Sequence, residues 1–363
     1  MNISNDIRNE TTLEHVDSVD SLRGIATLSV FIFHMWSMSQ PEKDVFRPWF
    51  FLFAGHEAVI LFYVLSGFVL TLSYEKKKPL YIQYFIWRLF RIYPAYYFCM
   101  VIEIIMFLLI NPTPLNNYTK WFNGHFSTIQ LNLKTFYDIF FLVTNPESQV
   151  NGVIWSLVYE VIISTLILPL FWKIKTNRTL IFIGCGYILF FFLRQVIHID
   201  NVILDHSLYF SVFFYMGYLV FHFLDRLFYI STAKLLPLFL LCYASIYFTF
   251  GHSPFDKATI RDFLTGIASV YFICLALYSD SARKFLKIKI LRFYGRISYS
   301  FYLFHICVMY SAVYLLKNIF PLWVIIGLIF IITTGVSYLV YRMIEKPFIR
   351  FGRIIAAKVS DPV

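Results

Sequence analysis

Charged residues are scarce in this sequence. Asp, Glu, Lys and Arg make up 14% of the 363 residues, whereas a soluble domain carries about 25%. Hydrophobic residues account for 59%, and the mean hydropathy is +0.67. A larger core does not explain so wide a gap, so the composition excludes a soluble protein. The length allows one helical bundle and leaves no room for a second large domain.

Paired cysteines, repeats and low-complexity runs are also missing. The five cysteines lie singly in apolar runs, without a Cys-x-x-Cys pair or a metal-ligand spacing, so we expect no metal site. The polar start, up to Asp20, contains no apolar stretch with a small-residue cleavage site, and we expect no cleaved signal peptide. The net charge of +10 comes from short basic clusters between apolar runs. Such clusters set membrane orientation, and we expect no nucleic-acid partner.

Long apolar runs are abundant. A membrane-spanning helix needs roughly 20 mostly apolar residues, and ten runs approach this length: 22–39, 56–74, 92–110, 152–172, 179–197, 207–224, 234–250, 263–279, 293–316 and 321–341. The sequence therefore predicts an all-α, polytopic transmembrane helix bundle. We assign 1–20 to a cytoplasmic N-terminal segment, 21–350 to the membrane-embedded domain and 351–363 to a cytoplasmic tail. A shorter run, Phe136–Val143, is predicted to be re-entrant or interfacial.

The basic residues between the runs give a separate test of the number of spans. With the N-terminus inside, 21 of the 31 Lys and Arg fall in inner segments and 8 in outer segments. The remaining two, Arg23 and Arg296, lie at inner helix ends. An excess of Lys and Arg on the cytoplasmic side is the rule for membrane proteins. A wrong helix count would scramble the alternation, so both termini are predicted to be cytoplasmic.

Ionisable residues inside a span are costly and indicate a functional site by default. In the predicted topology one group lies at the middle-to-outer level: His34, Glu57, Glu160 and His305. Ser156 precedes Glu160 by one helical turn on the same face. A second group lies towards the cytoplasm: Arg23, Arg88, Arg91 and Arg296. The guanidinium fork suits phosphate, so this pattern predicts an anionic donor entering from the cytosol and proton chemistry further out.

Simpler interpretations stay open. An Arg at an inner helix end commonly serves as an anchor, and Arg88 and Arg91 also satisfy the positive-inside rule. A lone buried His is commonly a structural residue. Glu103 is acidic and intramembrane, and the sequence reveals no partner for it.

Six segments carry distinctive local patterns. They are Arg23 followed after ten residues by His34, Leu61–Phe68 with Ser66-Gly67, Arg88–Pro94, Trp155–Glu160 with Ser156, Gly295–His305 with Tyr299, and Glu345–Pro347. In this order they resemble the motifs of acyltransferase family three, the integral membrane O-acyltransferases that modify surface glycans. One departure concerns Ala58-Val59-Ile60, where many members have Gly-Val-Asp. Glu57, three residues before Ile60 on the same face, is the alternative acid. The sequence ends soon after Glu345, and we expect no extra hydrolase-like domain.

The resemblance implies a reaction and its participants. The donor is acyl-CoA, most simply acetyl-CoA, used as a co-substrate with no bound cofactor. The acceptor is a hydroxyl of a cell-surface polysaccharide or its lipid-linked precursor, such as O-antigen, capsule or exopolysaccharide. The setting is the lipid of the bacterial inner membrane.

The resemblance also implies roles for the candidate residues. Arg88 and Arg91, with Arg23 and Arg296, are expected to hold the CoA phosphates. His34 deprotonates the acceptor or carries the acyl group itself, and Glu160 or Glu57 orients it. Further candidates are Ser66, Ser156, Tyr299 and His305, of which both serines suit close helix packing equally well.

Two other function classes fit a polytopic bundle. The first is a transporter or flippase of glycan or lipid precursors, which broken helices and paired repeats would favour. The second is a non-catalytic membrane sensor. Of the three classes, only the enzyme consumes acyl-CoA.

Overall fold

The computed structural model describes residues 13–39, 55–127, 131–142, 150–174, 176–194, 199–228 and 257–359, and contains helices and connecting turns but no strand within these ranges. The helices are α1 (Leu13–Ser37), α2 (Gly55–Lys77), α3 (Tyr81–Ile110), α4 (Lys120–Ser127), α5 (Leu133–Phe141), α6 (Ile154–Phe171), α7 (Asn177–Leu193), α8 (Val202–His222), α9 (Leu224–Phe228), α10 (Lys257–Tyr278), α11 (Asp280–Leu286), α12 (Lys289–Leu316), α13 (Leu322–Val340) and α14 (Lys346–Lys358).

Seven helical stretches in the described residues are long and apolar enough to cross a membrane: α2, α3, α6, α8, α10, α12 and the continuous stretch Leu322–Lys358. They match seven of the ten predicted runs and confirm the all-α, polytopic membrane fold. The run 179–197 overlaps α7, which is shorter, and the run 22–39 overlaps α1, which is outside this set. The run 234–250 lies outside the described residues. The total of ten spans and the side of the termini stay predictions.

The predicted segment boundaries fall inside helices. Helix α1 begins at Leu13, within the predicted N-terminal segment, and α14 continues past residue 350 to Lys358. The short run after residue 136 belongs to α5, whose nine residues are too few to span a bilayer.

The chain divides into two compact units. The first comprises Met1–Ala26, His56–Lys78 and Tyr159–Gly295, and the second comprises Thr27–Gly55, Pro79–Val158 and Arg296–Val363.

Glycines bring backbones together in the first unit. A Cβ added at Gly67 of α2 would lie 2.1 Å from the Phe214 carbonyl oxygen of α8, and one added at Gly217 would lie 2.0 Å from the Val64 carbonyl oxygen. The two helices therefore cross at a pair of positions that hold no side chain, as small residues permit in membrane helices. This contact accounts for Ser66-Gly67 as a packing motif.

In the second unit, α14 packs against α3. Gly352 of α14 lies against the Phe90 side chain of α3, and Gln83 Nε2 donates to the Ala356 carbonyl oxygen at 3.2 Å. A π-helical turn, Tyr341–Glu345, joins α13 to α14. Such turns often lie at functional sites, and this one contains the buried Glu345.

We expect Gly67→Ala to lower the free energy of unfolding by about 1–3 kcal/mol, because the new methyl group overpacks a backbone contact. Gly186→Ala on α7 is the matched control, since a Cβ there meets nothing within 4 Å. Thermal melting of the purified protein in detergent would compare the two variants. Equal melting temperatures would contradict the close crossing of α2 and α8.

Candidate active site

Two histidines meet in the second unit. His34 Nδ1, near the end of α1, lies 2.9 Å from His305 Nε2 of α12. His305 Nδ1 lies 2.7 Å from the Tyr302 carbonyl oxygen, one turn earlier on its own helix. His305 is 1% exposed, whereas His34 is half-buried. The sequence predicted both residues at one depth, and the structure brings them into contact.

The contacts of His305 assign the tautomers of both rings. A carbonyl oxygen only accepts, so His305 Nδ1 carries a hydrogen, and in the neutral ring Nε2 is then an acceptor. His34 Nδ1 must therefore donate to it. In neutral His34 the remaining nitrogen, Nε2, carries no hydrogen and has the lone pair of a base or nucleophile. The chain from the Tyr302 carbonyl through His305 thus fixes the chemical state of His34.

An aromatic residue holds the other face of His34. The Trp121 ring of α4 stacks on His34 with ring centroids 5.2 Å apart and an interplanar angle of 13°. Helix α4 is fastened to the end of α1, because Thr119 Oγ1 donates to the Ser37 carbonyl oxygen at 2.7 Å. The ring of His34 is therefore restrained by packing as well as by its hydrogen bond.

Ser156 connects two of the motifs. Its Oγ lies 2.7 Å from the Tyr302 hydroxyl and donates to the Val153 carbonyl oxygen at 3.0 Å. The Tyr302 hydroxyl lies 3.2 Å from the same carbonyl oxygen, and because each hydroxyl has one hydrogen, two of these three contacts are hydrogen bonds at a time. These bonds join the first turn of α6 to the turn of α12 that carries the Tyr302 carbonyl. Ser156 therefore supports the histidine pair through Tyr302.

Glu345 forms a second polar centre in the same unit. Its side chain has no exposed surface, and it makes an ion pair with Arg91 of α3. Ser300 Oγ of α12 donates to the other carboxylate oxygen at 2.7 Å. The guanidinium of Arg91 lies over the Tyr299 ring, 5.5 Å from its centroid, and Tyr299 OH donates to the Ile92 carbonyl oxygen at 2.7 Å. Three of the motifs thus converge on one buried carboxylate.

The two centres share helix α12. Ser300 and His305 are separated by five residues, which is about 7.5 Å along a helix axis. Arg88 lies one turn before Arg91 on α3 and is 8% exposed, whereas Arg296 on α12 is exposed. The Glu345 centre and the histidine pair therefore contact neighbouring turns of α12, and the cytoplasmic and outer levels assigned to the predicted residues stay predictions.

Sequence reasoning missed Asn151. Its Nδ2 donates to Glu103 Oε2 at 2.7 Å and to the Leu303 carbonyl oxygen at 3.1 Å. Asn151 is fully buried and Glu103 is 3% exposed. Glu103 therefore has a partner on the segment leading into α6, and no local pattern in the sequence links two residues so far apart.

The other predicted site residues belong to the first unit. Arg23 donates to Asp20 Oδ1 at 3.0 Å, and Arg261 contacts Glu57 at 3.5 Å. Glu160 is half-buried and Ser66 is buried. Ile60, at the position of the missing Asp, is completely buried. The roles predicted for Arg23, Glu57 and Glu160 stay predictions.

Comparison with known proteins assigns the chain. The family model described as "Acyltransferase domain", that of acyltransferase family 3, matches residues 16–342. The chain belongs to acyltransferase family 3. It is also 26% identical over 298 residues, covering 79% of this chain and 82% of the other, to the protein named "Putative acetyltransferase ORF330" of Acidianus two-tailed virus. No solved structure matches.

The chain is thus an acyltransferase and a multi-pass membrane protein. In this acyltransferase the family motifs account for both polar centres of the second unit. Arg91 is already neutralised by Glu345, whose negative charge would oppose a phosphate at the same guanidinium.

We expect Glu345→Gln to cost roughly 2 kcal/mol of folding free energy. Removing one member of a buried pair leaves the other charge uncompensated, although Arg91, which is 33% exposed, is partly solvated by water. Arg91→Gln and the double variant complete a mutant cycle, measured by thermal or denaturant unfolding. The double variant should cost less than the sum of the single variants by about 0.5–3 kcal/mol. Additive costs would show that the pair contributes no coupling.

Proposed function

We propose that this acyltransferase transfers an acetyl group from cytosolic acetyl-CoA to a hydroxyl of a cell-surface polysaccharide or its lipid-linked precursor, in a bacterial cytoplasmic membrane. The observation that carries the proposal is the chain Tyr302 O, His305, His34, which leaves His34 Nε2 as an unprotonated nitrogen. The family membership supports acyl transfer, and the viral relative is named an acetyltransferase. Acetyl-CoA acts as a co-substrate, and the reaction needs no resident cofactor.

Two reaction courses use the same nitrogen. In the first, His34 Nε2 takes the proton of the acceptor hydroxyl, the oxygen attacks the thioester carbonyl, the carbon–sulfur bond breaks, and CoA leaves as the thiol after receiving that proton. In the second, Nε2 attacks the thioester carbonyl, the carbon–sulfur bond breaks and CoA leaves as the thiolate; the acceptor hydroxyl then attacks the acetyl carbon, the carbon–nitrogen bond breaks and the hydroxyl proton passes to the thiolate. In both courses His34 becomes cationic for a time, and His305 Nε2 accepts the hydrogen bond that stabilises this charge.

The donor needs cations for its phosphates. Arg88 lies one turn from Arg91 and is largely removed from water, which strengthens a charge-assisted hydrogen bond to phosphate. We propose Arg88 as the principal phosphate ligand, with the exposed Arg296 at the surface. Arg91 pairs with Glu345 and lies over the Tyr299 ring, so its role in this centre is structural.

We expect His34→Ala to lower acetyl transfer at least about 100-fold, the range for loss of a general base. His305→Gln should lower kcat less and leave the KM for acetyl-CoA unchanged, because it only orients His34. Membranes carrying each variant would be incubated with labelled acetyl-CoA and the host's glycan and lipid-linked glycan fractions. The control is His222→Gln, a histidine on α8 that contacts Asn177. Full activity of His34→Ala would overturn the assignment, and failure of the wild type to consume any acyl-CoA would favour a transporter.

We expect Arg88→Gln to raise the KM for acetyl-CoA about 10-fold or more, since a hydrogen bond to a charged group contributes about 1.5–3 kcal/mol. Arg342→Gln is the matched control, because Arg342 is exposed and contacts only Tyr338 among the hydrogen bonds described for it. Initial rates at varied acetyl-CoA would give both constants. An unchanged KM with a lower kcat would instead assign Arg88 to the chemical step.

A further inference from the structure

A polar cluster in the first unit lies outside the centres already described. His56 Nε2 lies 2.7 Å from Asp262 Oδ2, and Tyr209 OH donates to the same oxygen at 2.8 Å. Arg261 Nε is 3.5 Å from both Glu57 and the second oxygen of Asp262. These contacts bring the beginnings of α2, α8 and α10 together. We call His56, Glu57, Arg261, Asp262 and Tyr209 the α2–α10 cluster.

A further ion pair adjoins the α2–α10 cluster. Arg194, just after α7, donates through Nε to Asp205 at 2.8 Å, and its guanidinium lies 4.3 Å from the centroid of the Tyr209 ring. Tyr209 is thereby held between a cation on its ring face and the carboxylate that accepts its hydroxyl hydrogen. The position of Asp262 is thus set from two helices.

The side chains of the α2–α10 cluster range from buried to partly exposed. Asp262 has 4% of its side chain exposed, whereas His56 has 33%, Arg261 has 39% and Glu57 has 21%. Here the supporting acid is covered, and an imidazole, a guanidinium and a second carboxylate are left within reach of a ligand.

These three groups match a ligand that bears adjacent hydroxyls. A hydroxyl both donates and accepts. Since His56 Nε2 faces a carboxylate, Nε2 carries the hydrogen, while Glu57 accepts and Arg261 donates. A site built to hydrogen-bond hydroxyls discriminates strongly against molecules that lack them. In the predicted topology α2, α8 and α10 begin at the outer surface and run inward. A surface glycan would approach from that outer side.

We propose that the α2–α10 cluster binds the sugar hydroxyls of the acceptor, with Asp262 as the residue that positions His56. This inference rests on the proposed function and adds to it the residues that select the acceptor. It also gives Glu57 a role in acceptor binding through Arg261, where the sequence suggested catalysis.

The test separates acceptor binding from donor binding. Initial rates are measured with labelled acetyl-CoA and increasing amounts of the glycan fraction that the wild type labels. His56→Gln and Tyr209→Phe should raise the KM for this acceptor about 10-fold and about 3-fold, respectively. The kcat and the KM for acetyl-CoA should stay within twofold of wild type, since loss of equal ground-state and transition-state binding appears in KM. His222→Gln is again the control.

A purely structural cluster would give a different result. Thermal melting of each variant is recorded beside the kinetics, and Asp262→Asn is included because it releases both partners at once. An unchanged acceptor KM in a correctly folded His56→Gln overturns the inference while leaving the proposed function intact. A wild type that transfers no acetyl group to any glycan overturns the proposed function, and the inference falls with it.

Discussion

The carboxylate of Glu345 has no exposed surface, so its charge must be balanced inside the protein. Burying an ionised group without a partner costs several kcal/mol. Arg91 supplies the opposite charge and Ser300 a hydrogen bond. Because these partners lie on α3 and α12, one carboxylate in a π-helical turn fixes the register of three long helices. The rest of the second unit follows from that register.

Helix α12 connects the Glu345 centre to the histidine pair, because it carries both Ser300 and His305. Once Ser300 faces Glu345, helix geometry places Tyr302 and His305 at set positions further along. Tyr302 then meets Ser156, and its carbonyl oxygen receives the hydrogen of His305. The tautomer of His34 is therefore determined by contacts that begin in a different motif. Groups that act on a substrate proton need this kind of support from residues that do not touch the substrate.

The sequence was sufficient for the class of fold and for placing His34 and His305 at one level. Hydropathy and loop charge follow from the bilayer itself, so the long apolar helices and the shared level of His34 and His305 could be predicted. The contacts between individual polar side chains could not be predicted. Asn151 with Glu103, and Arg91 with Glu345, join residues far apart in sequence, and a single sequence contains no periodic signal for such contacts. The contact of His34 with His305 joins residues 271 positions apart and could not be predicted for the same reason.

Position 60 shows how helical spacing can mislead. Glu57 and Ile60 share a face of α2, so an acid at residue 57 looked equivalent to the missing Asp. Ile60 is wholly buried, whereas Glu57 is partly exposed and contacts Arg261 on α10. One helical turn, about 5 Å, moves the acid from the packed interior to the first turn of the helix, beside His56 and Asp262. Glu57 therefore has a different environment from residue 60 although both lie on one face of the helix, and its part as the alternative acid stays a prediction.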